Sequence, residues 1–248
     1  MTQDKLGLGE QALNKIAEVA LSTQLDEVER LEVQVKTDPG KLAQGELESI
    51  TINGDGLVMH DDLRMENMEM QISAIAVNPL QALMGNIKLT QPAEGKARVV
   101  LTEADINRAF NSEFIRSKLQ NIELNVEGKK AVIEPQQIKI QIPDSGKIEF
   151  FADTLLTNEI GATKQMSFIA TILVKTSKQS LLLESFSCTP NQGISLELAI
   201  AVLQKIKELL NLPYLELDGM ALRVQDVDVE KGKLTLHSEA RVKQIPST

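Results

Sequence analysis

Three neighbouring side chains, His60, Asp61 and Asp62, have the residue types of a metal or acid–base site. Histidine and carboxylate groups can bind zinc or manganese. Adjacent residues in a turn point in different directions, however, so these three groups do not readily converge on one ion. We therefore interpret the cluster as a polar turn and predict no metal site.

Nucleophilic catalysis has few candidate residues, because the chain contains only two histidines and one cysteine. The sequence lacks a nucleophile elbow. Cys188 is typical of a small apolar strand residue, and His237 falls on the polar side of an alternating strand. The glycines form no phosphate-binding loop. We expect a protein that is not an enzyme and has no cofactor, and a lipid hydrolase stays open only if the histidine–aspartate cluster meets a nucleophile in the fold.

The elements that would have to position any site are two predicted helices with wide apolar faces. Residues 195–210 and 10–24 each spread apolar side chains over roughly 200° of a helical projection. A helix that rests on one sheet needs about half that width. Each face therefore needs two covers: a sheet, together with a second helix, a curling sheet edge or a ligand. Residues 195–210 are too few and too charged to span a bilayer.

Composition excludes several classes of partner. The 248-residue chain carries 26 basic and 35 acidic residues, a net charge of −9. This balance argues against nucleic acid, which requires a basic stripe, and against simple electrostatic adhesion to an anionic membrane. One cysteine fits a reducing compartment, and residues 1–9 carry no apolar signal segment. We expect a cytoplasmic protein that can associate peripherally with a membrane.

Between the two helices the chain reads as many strands joined by short turns, which is typical of antiparallel meanders. Residues 63–77 change apolar phase twice, which predicts two bulges and a curled sheet. The predicted fold is α+β: a long, curled, mainly antiparallel sheet wrapped around the two amphipathic helices. No linker divides the chain, so we expect a single domain over residues 1–248. Aromatic residues make up only 3%, which indicates an aliphatic, methionine-rich core.

Two corners use the same local device. Asp38 can cap and Pro39 can open a short helix, which Gly45 ends in the left-handed conformation. Residues 78–85 repeat this pattern forty positions later, with Asn, Pro and Gly at the same offsets. Residues 102–105 then resemble a capping box at the start of another helix, which can continue, bent, to residue 119.

The order of these motifs resembles the LmeA-like phospholipid-binding family, most strongly over residues 31–110. The two corners, Ile-Lys-Leu-Thr-Gln-Pro at residues 87–92 and Val-Leu-Thr-Glu-Ala-Asp-Ile-Asn at residues 100–107 carry the resemblance. It implies a bacterial lipid-binding domain similar to tubular lipid-binding folds. In such folds a long antiparallel sheet wraps helices and leaves an aliphatic groove.

Two functions from different classes follow. The first is non-enzymatic binding or carrying of phospholipid or another acyl lipid, with transient contact to a membrane surface. The second is a structural or adaptor module with a closed core, which binds a protein partner through a sheet edge or a helix face. For the first function we expect the lipid to contact Leu13, Ile16, Leu21, Met68, Met70, Leu83, Leu196, Ile200, Leu203, Ile206 and Leu210.

Overall fold

Alternating apolar and polar residues run through most of the chain, and they form strands. The computed structural model describes residues 8–59, 62–78, 89–126, 128–175, 180–188, 198–202, 204–205, 215–217 and 220–242. In this part of the chain the named helices are α1 (Leu8–Ser22), α2 (Pro39–Ala43), α3 (Glu103–Asn111) and α4 (Glu113–Lys118). Residues 198–202 and 204–205 are also helical and are called the C-terminal helical segment. The predicted antiparallel strands are confirmed, but the described helices are few and mostly short, so the fold is mainly antiparallel β and less helical than the predicted α+β class.

The strands form two separate sheets, and one of the two is a curled half-barrel. The first sheet contains β1 (Leu25–Glu27), β2 (Arg30–Lys36), β3 (Glu46–Met59), β4 (Leu63–Ala76) and β5 (Ala93–Thr102), followed much later in the chain by β11 (Leu215–Leu217), β12 (Met220–Glu230) and β13 (Lys233–Val242). The second sheet contains β6 (Ile122–Val126), β7 (Lys129–Asp144), β8 (Lys147–Asn158), β9 (Thr163–Lys175) and β10 (Ser180–Cys188).

The strand orders are β1-β3-β4-β5-β13-β12-β11, with β2 also beside β3, and β10-β9-β8-β7-β6. The prediction of one continuous sheet was therefore wrong. The chain leaves the first sheet after β5, passes through α3 and α4, and builds β6 to β10, which pair only with one another among the described strands. It then rejoins the first sheet where β13 pairs with β5.

The apolar phase of β4 changes where the sequence predicts. Met70 and Ile72 are buried on one parity, and Ile75 is buried on the other. The β3–β4 pairing nevertheless shows no register shift, because β3 changes phase opposite the same points. Each change lies beside a residue with positive φ, Gly56 at 57° and Ala74 at 52°. The predicted bulges are thus matched irregularities in both strands, and the apolar residues stay on one face.

The predicted helix ends are confirmed where the structure describes them. The Asp38 side chain accepts a hydrogen bond from the Lys41 amide at 2.9 Å, and Gly45 has a φ of 79°. The capping box of α3 is present at Thr102. The continuation of that helix is interrupted, because Ser112 ends α3 and caps α4. The second corner, residues 79–85, lies outside the described residues.

The residues that the structure describes form three apolar clusters. The first core lies under α1 on the first sheet and includes Val33, Val35, Leu47, Ile50, Ile52, Met70, Ile72, Ile75, Val77, Ala93, Ala97 and Val242. The second core lies between the second sheet and the C-terminal helical segment and includes Leu124, Ile133, Ala152, Met166, Phe168, Ala170, Leu198, Ala201 and Val202. The joint core lies where the two sheets meet and includes Ile106, Ile140, Ile142 and Val229.

Side chains of α3 close the edge of β7 at this joint. β6 pairs with β7 only as far as Ile133, which leaves the later backbone groups of β7 without a neighbouring strand on that side. Asn107 accepts from the Ile140 amide at 2.7 Å and donates to the Ile140 carbonyl at 2.8 Å. Glu103 accepts from the Ile142 amide at 2.8 Å, and Gly232 donates to the Ile142 carbonyl at 2.9 Å. The β12–β13 turn and α3 therefore fasten the first sheet to the second.

Candidate functional site

Helix α1 lies on the first sheet through one stripe of its surface. Leu13, Ala17 and Leu21 recur at intervals of four residues and pack against the first core. Asn14, next to this stripe, accepts a hydrogen bond from the Val35 amide of β2 at 2.6 Å. The amphipathic sequence of α1 thus seats the helix, and one polar side chain fixes it to the edge strand.

The apolar surface of α1 extends beyond the part that the sheet covers. Ile16 is 50% exposed and Val19 is 52% exposed, although both belong to the same apolar arc as Leu13. These two residues form the exposed flank of α1. The described residues thus cover the arc on one side, and the second cover expected from the sequence would have to be a ligand or another segment.

Four of the predicted lipid-contacting residues come together at this place. Leu13 and Leu21 of α1 and Met68 of β4 pack, partly buried, against the first core, and Met70 is a buried member of it at 4% exposure. Methionine is flexible and polarisable, which suits contact with apolar groups of variable shape. Ile16 lies on the exposed flank rather than in the cluster. Leu83 lies outside the described residues.

The C-terminal helical segment belongs to a different core. Leu198, Ala201 and Val202 pack against the second core, whose Phe168 and Phe186 rings stack with centroids 5.5 Å apart. Ile200 points away from this contact and is 45% exposed. The other predicted contacts of this helix, Leu196, Leu203, Ile206 and Leu210, lie outside the described residues.

An electrostatic network joins β4 to the start of α3. Arg64 lies 2.8 Å from Asp105, and it also pairs with Glu66 and Glu29. Burial raises the pKa of Asp105, but hydrogen bonds from Thr102 and Arg64 outweigh it and hold that pKa below the usual value. The hydrogen bond to Asp105, followed by that to Glu66, raises the pKa of Arg64. Because the buried carboxylate is fully engaged in capping and pairing, this network is structural.

Only one residue of the histidine–aspartate cluster is described by the structure. His60 and Asp61 lie outside the described residues, while Asp62 is exposed and forms an ion pair with Arg108 of α3. That hydrogen bond lowers the pKa of Asp62. His237 lies 3.2 Å from Asp228 across the β12–β13 pair. No group of three potential metal ligands occurs in the described ranges.

A polar groove that the sequence did not predict lies on the other face of the first sheet. Residues such as Glu69 and Gln71 alternate with the buried methionines of β4, so their side chains point away from α1. A groove of about 520 Å³ lies on this face, lined by Thr51, Asn53, Glu69, Met70, Gln71, Lys96, Ala97, Arg98, Gln225, His237, Ser238 and Glu239. Cross-strand pairing of opposite charges, as between Arg98 and Glu69 at 3.4 Å, was the signal available. The charged lining of this groove does not suit acyl chains.

Comparison with known proteins identifies one family. A family model described as LmeA-like phospholipid-binding matches residues 4–239. This span contains nearly all of both sheets, and it confirms the family resemblance seen in the sequence. No curated protein and no solved structure matches the chain. Among the helices described by the structure, none is long and apolar enough to cross a membrane.

Proposed function

The chain belongs to the LmeA-like phospholipid-binding family, and on this premise we propose that it binds phospholipid or another acyl lipid without acting as an enzyme. The observation that carries the proposal is the exposed flank of α1. Ile16 and Val19 leave about half of their surface accessible beside an aliphatic, methionine-containing core. A lipid acyl chain has the chemistry to cover such a flank.

The proposed contact begins at the exposed flank and continues to the half-buried Met68. Met70 is buried beneath this layer, so an acyl chain reaches it only when α1 moves away from the sheet. α1 packs chiefly on β2, where the Asn14 side chain accepts a hydrogen bond from the Val35 amide. A helix held mainly by apolar packing can exchange contacts with the sheet for contacts with lipid.

Burial of an acyl chain contributes a large favourable free energy of binding. Each methylene removed from water contributes about 0.8 kcal/mol, so a sixteen-carbon chain recovers on the order of 10 kcal/mol before the losses of association are subtracted. Head-group contacts can therefore be few. No cofactor is required, and the ligand itself is the lipid.

The larger groove is proposed from the sequence and family together. It would run between both wide-faced helices and the inner sheet faces, in the manner of tubular lipid-binding folds, within a single domain. Ile200 supports this extension because it is an exposed apolar residue of the C-terminal helical segment. The remaining members, Leu83, Leu196, Leu203, Ile206 and Leu210, stay predictions. Transient contact with a membrane and a cytoplasmic location also stay proposals.

Uptake of a fluorescent phospholipid tests the proposal. Ile16→Asp places a charge on the exposed flank without opening the first core, so the protein should fold and uptake should fall at least about tenfold. Val28→Asp is the matched control, because Val28 is 39% exposed and lies in neither the helices nor the apolar clusters. Equal uptake by wild type and Ile16→Asp would contradict lipid contact at this flank.

A second variant distinguishes a groove that borders both helices from a site at α1 alone. Ile200→Asp should also fold, since Ile200 is 45% exposed. If the two helices border one groove, this variant should lose uptake as Ile16→Asp does. Normal uptake by Ile200→Asp would restrict the site to α1. Absence of uptake by the wild type would favour the adaptor function with a closed core.

A further inference from the structure

The turn between β8 and β9 presents the most exposed large apolar side chain of the described residues. Ile160 is 86% exposed, whereas the other exposed large apolar residues range from 37% to 52%. The turn is nevertheless ordered by hydrogen bonds. Asn158 accepts from the Ala162 amide at 2.8 Å through its side chain and from the Gly161 amide at 3.0 Å through its carbonyl. The structure thus holds an isoleucine out in solvent on a fixed hairpin end.

Three lysines belong to the strand ends on either side of this turn. Glu159, its neighbour, accepts from the Lys130 amide at 2.8 Å, which places the start of β7 beside the turn. Lys129 and Lys130 are exposed there, and Lys164 is exposed at the start of β9. In the part of the chain that the structure describes, none of these three ammonium groups forms an ion pair. We call Ile160, Lys129, Lys130 and Lys164 the tip.

Acidic residues near the tip are few. Glu159 already bonds to the Lys130 amide. Glu127, two positions before Lys129 in the sequence, lies outside the described residues. The segments 127–130 and 157–164 therefore contain three lysines and two glutamates, whereas the whole chain has a net charge of −9. The local charge is opposite in sign to that of the rest of the protein.

The tip lies at the end of the second sheet that is farther from the first sheet. β7 and β8 are connected at the other end by the turn after Asp144, where the Gly146 amide donates to Val229 of the first sheet at 2.9 Å. β8 has twelve residues, which corresponds to a length of about 40 Å. A surface that meets the tip would therefore leave α1 and the first core clear of it.

We propose that the tip docks the protein on an anionic phospholipid bilayer. Ile160 enters the boundary between head groups and acyl chains, and the three lysines contact lipid phosphates around it. The overall negative charge repels the rest of the molecule from the same surface, so contact is confined to the tip and is reversible. The inference rests on the proposed lipid-binding function for its purpose, and docking itself can be measured separately.

Sedimentation with vesicles tests the docking surface. Wild-type protein should bind vesicles of phosphatidylcholine with phosphatidylglycerol, bind those of phosphatidylcholine alone more weakly, and dissociate in high salt. Ile160→Ser should weaken binding about tenfold, and each of Lys129→Gln, Lys130→Gln and Lys164→Gln about fivefold. Ile169→Ser is the matched control, because Ile169 is 42% exposed in the middle of β9 and should bind as wild type.

Several outcomes would overturn the proposed docking through the tip. These are no sedimentation of the wild type, unchanged sedimentation of Ile160→Ser, or an equal loss in Ile169→Ser. Lipid occupancy is measured in parallel by native mass spectrometry after incubation with monomeric short-chain phosphatidylcholine. Occupancy without docking would reject the tip and retain the proposed function, whereas docking without occupancy would do the reverse.

Discussion

The first and second cores are packed with different kinds of side chain. The first core and the residues packed on it are aliphatic or methionine and include no aromatic residue among the described positions. The second core contains Phe168 and has Phe150 and Phe186 packed against it. Stacked rings fix their neighbours more firmly than thin, flexible side chains do. The comparison indicates an adaptable region under α1 and a more rigid region in the second sheet.

The outward faces of the two sheets differ as well. The first sheet carries cross-strand charges there, such as Arg98 beside Glu69. The second sheet exposes apolar residues outward, with Ile169 at 42% and Leu182 at 43%. An adaptable core suits a variable acyl ligand, and a rigid sheet suits the presentation of a fixed tip such as that around Ile160. The proposed lipid contact and the proposed bilayer docking therefore fall on different sheets of the molecule.

The largest loss expected from shortening a side chain comes from the aromatic stack. Phe168→Ala should lower the free energy of unfolding by about 3–5 kcal/mol, because it removes a buried ring and leaves a cavity beside Phe186. Denaturant unfolding measures this loss. Phe151→Ala is the control, since Phe151 is half-buried on the outward face of the same sheet and should lose about half as much. Equal losses would mean that the outward face is packed as tightly as the second core.

The next largest effect tests the connection between the two regions. Asn107→Ala should lower the free energy of unfolding by about 1–3 kcal/mol, because two backbone groups of Ile140 lose their partner. Hydrogen exchange should show faster exchange at the Ile140 amide. Asn111→Ala, in the same helix, removes only an exposed bond to the Asn107 carbonyl and should change little. Unchanged protection at Ile140 would exclude this closure of the β7 edge.

As the pH falls, the contact between the first sheet and α3 should lose stability before the second core does. The pKa of Asp105 is lower when folded than the ordinary value of about 3.9, so its carboxylate stabilises the fold above that value. This stability is lost as the pH falls below about 4 and through the folded pKa. Asp105→Asn should cost about 1–2 kcal/mol at neutral pH and flatten the acid dependence.

Urea unfolding from pH 7 to pH 3, with hydrogen exchange by region, measures this dependence. Asp62→Asn is the matched control, because Asp62 pairs with Arg108 of the same helix but is exposed. It should change the acid dependence less than Asp105→Asn. Simultaneous loss of protection in β4 and β8 would contradict a separate response of the two regions.

The smallest expected effect is in the first core. Met70→Leu keeps the apolar volume, so the free energy of unfolding should change by less than about 1 kcal/mol. Phospholipid uptake should persist, because an adaptable wall does not depend on one shape. Met70→Asp is the contrasting variant and should unfold the protein, since Met70 is only 4% exposed. A large loss from Met70→Leu would show that the first core is as closely fitted as the second.

Much of the fold could be predicted because local periodicity and capping depend on nearby residues. The alternation in β2 to β5, the short helix after Asp38 and the capping box at Thr102 are confirmed. Strand partners could not be predicted in the same way. Alternation states which face of a strand is buried but not which strand lies beside it, so two sheets were mistaken for one.

The candidate site could be predicted only in part. The apolar stripe of α1 and the inward methionines of β4 follow from spacing, and the structure brings Leu13, Leu21, Met68 and Met70 together. The closure of the β7 edge by Asn107 could not be predicted, because a side chain that replaces a strand partner has no periodic signal. The exposure of Ile160 could not be predicted either, because in the sequence it is an ordinary apolar residue within a turn.

The most direct test of phospholipid binding is native mass spectrometry of gently purified protein, followed by extraction and identification of its lipids. The predicted result is one phospholipid bound per chain in the wild type, with clearly reduced occupancy in Ile16→Asp and normal occupancy in Val28→Asp. A lipid-free mass in the wild type, unchanged after incubation with phospholipid, would contradict the proposed function and favour the adaptor module.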